Sequence, residues 1–177
     1  MRLFVGCASA HGSTTGIAER IAADLRGHGY EVVVSALSHA PDPSAFDAAV
    51  LGSAIHDGRW LPEAEEFVRR NADALAQRPV WLFSVSLVGE RSSAFHPRMA
   101  RRLRRMRARH LPEQAAPIRR AVRPLGEHDF AGAVEPGHWP VTGRLVFRLM
   151  GGRFGDHRDW AEVDDWGREI AQALAAG

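Results

Sequence analysis

The sequence predicts an α/β protein with a doubly wound parallel sheet, and three observations carry that prediction. Five short strand candidates alternate with helical stretches, the order that parallel sheets with covering helices produce. The first apolar run, Leu3 to Ala8, leads through a hydroxyl-rich loop into a helix marked by Ile17, Ile21 and Leu25 at helical spacing. The run Val80 to Ser86 is almost continuously apolar, as a strand buried on both faces must be.

The elements follow in order. Gly29 stops the first helix just past its last turn. A valine-rich second strand spans Glu31 to Leu37, and His39 to Ser44, with Pro41 and Pro43, forms a loop. The third strand, Ala48 to Ser53, ends in a polar loop from Ala54 to Trp60. Pro62 suits the first turn of the next helix, with Glu63, Glu65 and Glu66 early and Arg69 and Arg70 late, as the helix dipole prefers. Phe67, Val68 and Leu75 face the sheet, and Val80 to Ser86 is the fourth strand. Residues 96 to 110 predict a helix with seven arginines (98, 101, 102, 104, 105, 107 and 109) and a narrow apolar stripe of Met99, Leu103 and Met106 that packs on the sheet. Pro112, Pro117 and Pro124 then break the chain. A fifth strand is expected near Phe130 to Val134, then a short amphipathic stretch from Arg144 to Met150. The last helix is expected to start at Asp164 as N-cap and to bury Trp166, Ile170 and Leu174.

Composition narrows the class. The 177 residues suit one domain, with an arginine-rich helical insertion around residues 90–127. Hydrophobic content of 45% beside 25% charged residues is ordinary for a globular protein, and no run approaches the roughly 18 apolar residues of a membrane span. Met1 leads straight into the first strand, so no signal peptide is expected. A single cysteine, Cys7, excludes an internal disulfide and fits a reducing cytoplasm, as a small buried thiol. Net charge is only +2, and the cationic side chains are arginines without any lysine, so overall charge says little and its distribution says more.

The loop Ser9-Ala10-His11-Gly12-Ser13-Thr14-Thr15-Gly16 carries the first chemical signal. At a helix N-terminus, free backbone amides and the dipole favour a phosphate. A Walker loop needs a lysine that the chain lacks, and Gly12 and Gly16 stand too far apart for GxGxxG. A cradle of hydroxyls without a cation suits a monophosphate ester such as that of FMN. The simpler alternative is a βα turn with a Ser or Thr cap.

At these residues the chain resembles the flavodoxin-like family. The resemblance extends through Val50-Leu51-Gly52-Ser53-Ala54-Ile55-His56-Asp57-Gly58-Arg59-Trp60, Phe67-Val68, Phe83-Ser84-Val85-Ser86-Leu87, Ala131-Gly132-Ala133 and Asp165-Trp166. These segments look like the branch related to menaquinone-dependent protoporphyrinogen oxidase. The resemblance implies a five-stranded sheet of order 2-1-3-4-5 with helices on both faces. It implies FMN, its phosphate held by Ser9, His11, Gly12, Ser13 and Thr14. Ser53, Ala54, Ile55, His56, Gly58 and Trp60 would wall one side of the ring, and Ser84, Ser86, Leu87 and Gly89 the other. Trp60 would stack on the flavin or anchor the following helix. Gly58 is placed for a backbone flip near the flavin N5. His56 and Asp57 are candidates for a proton relay, or simply polar loop residues.

Two departures bear on function. The third loop offers Leu87 and Val88 where electron-carrier flavodoxins usually have an aromatic residue. Arg59 and Arg91 are expected near the ring, and positive charge favours the reduced anion. Both features suit exchange with an organic substrate and a quinone-type acceptor better than a low-potential shuttle; an electron-transfer protein and a flavin-free binding module are the alternatives. The histidines lack metal-ligand spacing, and Ser84 and Ser86 lack a nucleophile elbow. The arginine helix, Arg98 to Arg109, is a solvated face, a contact with anionic membrane at the inner surface, or a grip on a substrate's carboxylates. Nucleic acid is disfavoured by the absence of an aromatic reading surface.

Overall fold

A computed structural model describes residues 1–114, 116–138 and 140–176, without the side chains of 107–114 and 138, so those of Arg107 and Arg109 in the expected cluster lie outside the described residues. The elements run β1 (Arg2–Ala8), α1 (Ser13–Gly27), β2 (Glu31–Ala36), β3 (Ala48–His56), β4 (Arg59–Trp60), α2 (Pro62–Arg70), α3 (Ala72–Ala76) and β5 (Val80–Ser86). They continue as α4 (Pro97–Gln114), α5 (Ala116–Val122), β6 (Gly126–Ala131), β7 (Ala133–Val134), α6 (Val141–Leu149), β8 (Gly155–Asp156) and α7 (Trp160–Ala176).

The sheet order is β2-β1-β3-β5-β6, all parallel, with β4 attached as an antiparallel arm on β3. Since β4 is the arm, this is the expected order of the five main strands. Val5 of β1 pairs with Val34 on one side and Val50 on the other. The chain therefore leaves β1 in one direction to reach β2 and in the opposite direction to reach β3. The loops above that reversal form the crevice where open α/β sheets bind ligands.

Alternation along the strands sends side chains into two cores. Leu3, Val5, Cys7, Val50, Phe83, Val85 and Phe130 meet Ile17, Ile21 and Leu25 of α1 and Trp166, Ile170 and Leu174 of α7. Phe4, Ala8, Leu51, Val80 and Leu82 meet Phe67, Val68, Leu75, Ile118 and Val122 of α2, α3 and α5. A third cluster lies outside this sandwich. Val88, Ala94, Phe95, Ala100, Val134 and Phe147 are buried there, with Leu87, Met99, Leu103 and Phe154 against them.

Several boundaries differ from expectation. β3 runs on to His56 and turns back through Asp57 (φ 49°) and Gly58 (φ 78°) into Arg59–Trp60. Two positive φ values define the tight hairpin turn that Asp-Gly favours, so the expected loop is largely a β-arm. β2 ends at Ala36, where Leu37–His39 makes a single 3₁₀ turn. The fifth strand lies four residues earlier than expected and stops at Ala131; Ala133 and Val134 pair instead with Asp156 and Gly155. α4 runs through Pro112 to Gln114. Its Met99 and Leu103 pack in the third cluster rather than on the sheet, and Met106 is 48% exposed. α7 begins four residues before Asp164, because Asp159 Oδ1 accepts from the Glu162 N–H (3.1 Å) and supplies the cap. No described helix is long and apolar enough to cross a membrane.

Candidate cofactor site

The loop after β1 is held open by its own polar groups. Gly12 takes a left-handed conformation (φ 82°), and its N–H donates to Ser9 Oγ (3.0 Å). The first helical hydrogen bond runs from the Gly16 N–H to the Gly12 carbonyl (3.0 Å). The amides of Ser13, Thr14 and Thr15 thus precede the ladder and face outward at the positive end of the dipole. Ser13 Oγ turns to the segment after β6 and accepts from the Ala133 N–H (2.9 Å). Thr14 is almost fully buried beneath the loop.

Below this turn lies a cleft of about 420 Å³, within the roughly 300–1,000 Å³ usual for small-molecule sites. It brings together Ser9, His11, Ser13, Thr14, Ala54, Ile55, His56, Asp57, Ser86 and Leu87 of the residues named from the sequence. Leu61 and Val85 line it too, and so do Gly132, Ala133, Val134 and Glu135, a fourth wall whose first three residues fall within the strand expected at Phe130 to Val134. That wall is tied down by the Gly132 N–H, which donates to the Ser86 carbonyl (2.8 Å), and by the Ser13 bond. Ser86 Oγ also donates to the Val88 carbonyl (3.0 Å), fixing the loop that carries Leu87.

The other predicted site residues stand outside the cleft lining. Trp60 is not free to stack on a ring in it: the indole is buried in the second core, and its Nε1–H donates to Ser84 Oγ (3.1 Å). A buried indole needs such a partner, and Ser84 is occupied in supplying it. Ser53 is fully buried, donating to the Ala54 carbonyl (2.8 Å) and accepting from the Leu61 N–H (2.9 Å), which sets the base of the arm. Gly89 presses against the backbone of Asp129 to Ala131, with no room for a side chain. Gly58 faces a smaller hollow of about 190 Å³ behind the arm, below the usual ligand size.

The expected cationic surroundings are corrected as well. Arg59 makes a two-point bond to Glu65 (3.2 and 2.9 Å), and Arg91 pairs with Asp165 on α7; neither lines the cleft. The ionisable groups that do line it are His11, His56, Asp57 and Glu135. His56 Nδ1 and Asp57 Oδ2 stand 3.3 Å apart at the arm's tip, 76% and 92% exposed. At that exposure they are not held in one geometry by packing.

The donor set fits FMN. The turn at Ser9 to Thr15 offers amides and hydroxyls to a phosphate, and the cleft beside it is walled by Ala54, Ile55, Leu61, Val85, Leu87 and Val134. When bound there, FMN supplies hydride and electron transfer; the chain's part is to hold the phosphate, orient the ring and shield one face.

Comparison with known proteins identifies the fold and the family. The flavodoxin domain family matches residues 5–135, which include the turn after β1 and all four cleft walls. Among curated proteins, none matches the sequence. Solved structures share the fold at low identity. An archaeal flavodoxin has a TM-score of 0.60 at 15% identity, with 99% of each chain covered. Flavodoxin 2 from Bacillus cereus has 0.54 at 22%, again with 99% of each chain covered. The rubredoxin:oxygen oxidoreductase of Desulfovibrio gigas has 0.61 at 14%, covering 99% of this chain but 36% of that longer one. Since the matched span contains both the parallel sheet and the turn that would hold the phosphate, the chain belongs to the flavodoxin domain family, whose cofactor is FMN.

Proposed function

We propose that this protein is a cytoplasmic FMN-dependent oxidoreductase that passes electrons between an organic substrate and a quinone-type acceptor, similar in reaction to the menaquinone-dependent protoporphyrinogen oxidase branch. One observation carries the reading. The described cleft lining contains no Phe, Tyr or Trp side chain, and the candidate nearest in sequence, Trp60, is buried and bonded elsewhere. A flavin held by Ile55, Leu61, Val85 and Leu87 keeps a face that a flat organic molecule can cover. His56 and Asp57, exposed at the rim, would exchange the proton that accompanies hydride transfer with solvent.

An electron carrier for protein partners is the second reading, supported by the full-length match to flavodoxins. The test begins with an FMN titration of the apoprotein, followed by quenching of flavin fluorescence. Ala10→Glu, which places a negative charge on an exposed loop residue lining the cleft, is the control. Saturable binding that this variant loses supports the phosphate turn. The reduced holoprotein is then mixed anaerobically with a soluble naphthoquinone or with a small redox protein. Rapid reoxidation by the quinone supports the enzyme. Reoxidation by the redox protein alone assigns the carrier, and failure to bind FMN overturns both.

A further inference from the structure

Among the described residues nine large apolar side chains are exposed, and more than half of them share one short segment. Five of them, Val141 (76%), Leu145 (61%), Val146 (53%), Leu149 (78%) and Met150 (49%), lie on α6 and the residue that caps it. Spacings of four place 141, 145 and 149 on one line and 146 and 150 on the next, so they form one continuous face. A surface helix ordinarily turns such a face inward. Here a single side chain, Phe147, goes in, packed against Phe95 (5.2 Å between ring centres) and Phe154 (5.0 Å). The apolar stripe is left in solvent with Arg148 beside it.

Charge is distributed just as unevenly. Residues 91–112 and 136–155 contain eleven of the chain's 23 basic residues and no Asp or Glu. The remainder carries all 21 acids against twelve arginines, so the protein is strongly polarised despite its net +2. The two acid-free runs form one lobe. Arg153 N–H donates to the Ala94 carbonyl (2.7 Å), His96 N–H to the Gly151 carbonyl (3.1 Å), and Phe95 bridges to Gly152. Arg104 donates to the Gly89 and Ser92 carbonyls (2.7 and 3.1 Å), which holds α4 in place but leaves its charge uncompensated. Arg98, Arg101, Arg102 and Arg105 are exposed on α4, with no ion pair among the described residues.

We infer that this lobe docks on an anionic lipid bilayer, with the α6 stripe lying in the interface and the exposed arginines of α4, with Arg148 of α6, on the headgroup phosphates. A bilayer supplies both things the surface lacks. Its acyl boundary takes Leu145, Leu149 and Met150, and its headgroups take guanidinium ions whose stems lie along the apolar layer. A second copy would bring the same positive lobe against itself, and a soluble polyanion would leave the stripe in water. Leu87 and Val134 pack in the cluster that anchors Phe147 and also line the cofactor cleft, so docking sets the cleft wall next to the membrane. Lipid docking needs no bound flavin and stands or falls apart from the proposed reaction.

The test is co-sedimentation of the full chain with vesicles of neutral phosphatidylcholine and with vesicles that also contain phosphatidylglycerol. The wild type should bind the anionic vesicles, not the neutral ones, and release in high salt. Leu145→Ser with Leu149→Ser, both already in solvent, should lower binding about tenfold or more. Arg101→Glu with Arg102→Glu should do the same. Far-UV circular dichroism and FMN titration confirm that each variant folds. Absence of binding to anionic vesicles overturns the inference. Binding insensitive to the leucine substitutions overturns it as well, since the stripe then takes no part. Self-association of the wild type that the leucine variant abolishes, seen by sedimentation velocity, reassigns the face to a second copy.

Discussion

Ser13, at the start of α1, accepts a hydrogen bond at its Oγ from the backbone N–H of Ala133 (2.9 Å), joining residues 120 positions apart in the chain. The contact locks the phosphate turn to the strip Gly132–Glu135 that walls the cofactor cleft. Gly132 lies so close that a methyl group there would meet Ser13 Oγ at 2.8 Å and Val85 Cγ1 at 2.9 Å. The two walls are therefore a single unit, and FMN affinity is expected to depend on both.

Ser13→Ala removes the acceptor and leaves the half-buried Ala133 N–H unpaired. The expected cost is about 1 kcal/mol in urea unfolding, with weaker FMN binding because the far wall loosens. Gly132→Ala should weaken FMN binding further by pushing the walls apart. Unchanged stability and affinity in both variants would show that the walls are independent.

Trp60 and Ser84 give a contrasting prediction. Trp60→Phe keeps most of the apolar volume but deletes the bond to Ser84, at a cost of about 1–2 kcal/mol. FMN affinity should stay within about twofold, because the ring is not part of the cleft lining. A loss of affinity above tenfold would put the indole on the flavin after all.

These two sites show what the sequence could and could not reveal. The apolar strands β1, β3 and β5 and the phosphate turn are legible because burial on both faces and a loop of hydroxyls leave local signatures. β6 is not: Gly126-Glu127-His128-Asp129 is too polar to read as a buried strand, and its partners lie in Trp81–Ser86 and α7. Assigning Phe130–Val134 as the strand placed Gly132, Ala133 and Val134 inside it and hid the fourth wall. The Asp57-Gly58 pair did carry a local signal for the arm, and the Asp159 to Glu162 spacing one for the cap of α7. The burial of Trp60 carried none, since it depends on a serine 24 residues away.

The polar strand has its own explanation, and it is testable. His128 Nε2 meets Glu162 Oε1 at 2.9 Å, and the same oxygen accepts from the Arg91 N–H (3.1 Å), although Glu162 is fully buried. The imidazole also packs on Phe130 (4.4 Å) and Trp166 (5.7 Å). His128→Ala should cost about 2–3 kcal/mol by stripping a buried carboxyl group of a partner and opening a gap between β6 and α7. His128→Gln, which keeps a donor, should recover part of that loss. Equal unfolding midpoints for the alanine variant and the wild type would remove the pair from the account of β6.

Acid should release α7 first. Bonding to Arg20 holds the Asp164 carboxyl below its ordinary value, and bonding to Arg91 does the same for Asp165; these contacts clasp the helix to α1 and to the loop after β5. A carboxyl depressed in the folded state contributes stability that is present above its unfolded pKa, roughly 3.9 for Asp, and is lost as pH falls through the lower folded value. Stability should therefore be flat above about pH 5 and decline below about pH 4, with hydrogen exchange rising first in the start of α7. In Asp164→Asn with Asp165→Asn the clasp is already gone, so stability is lower near neutrality and its decline in acid is shallower. Added salt should reduce the difference between the two proteins at neutral pH, because both pairs are partly exposed to solvent. An equally steep decline in the double variant would place the acid sensitivity in other carboxyls, with Asp156, depressed by its bond to Arg158 beside the α7 cap, the next to examine.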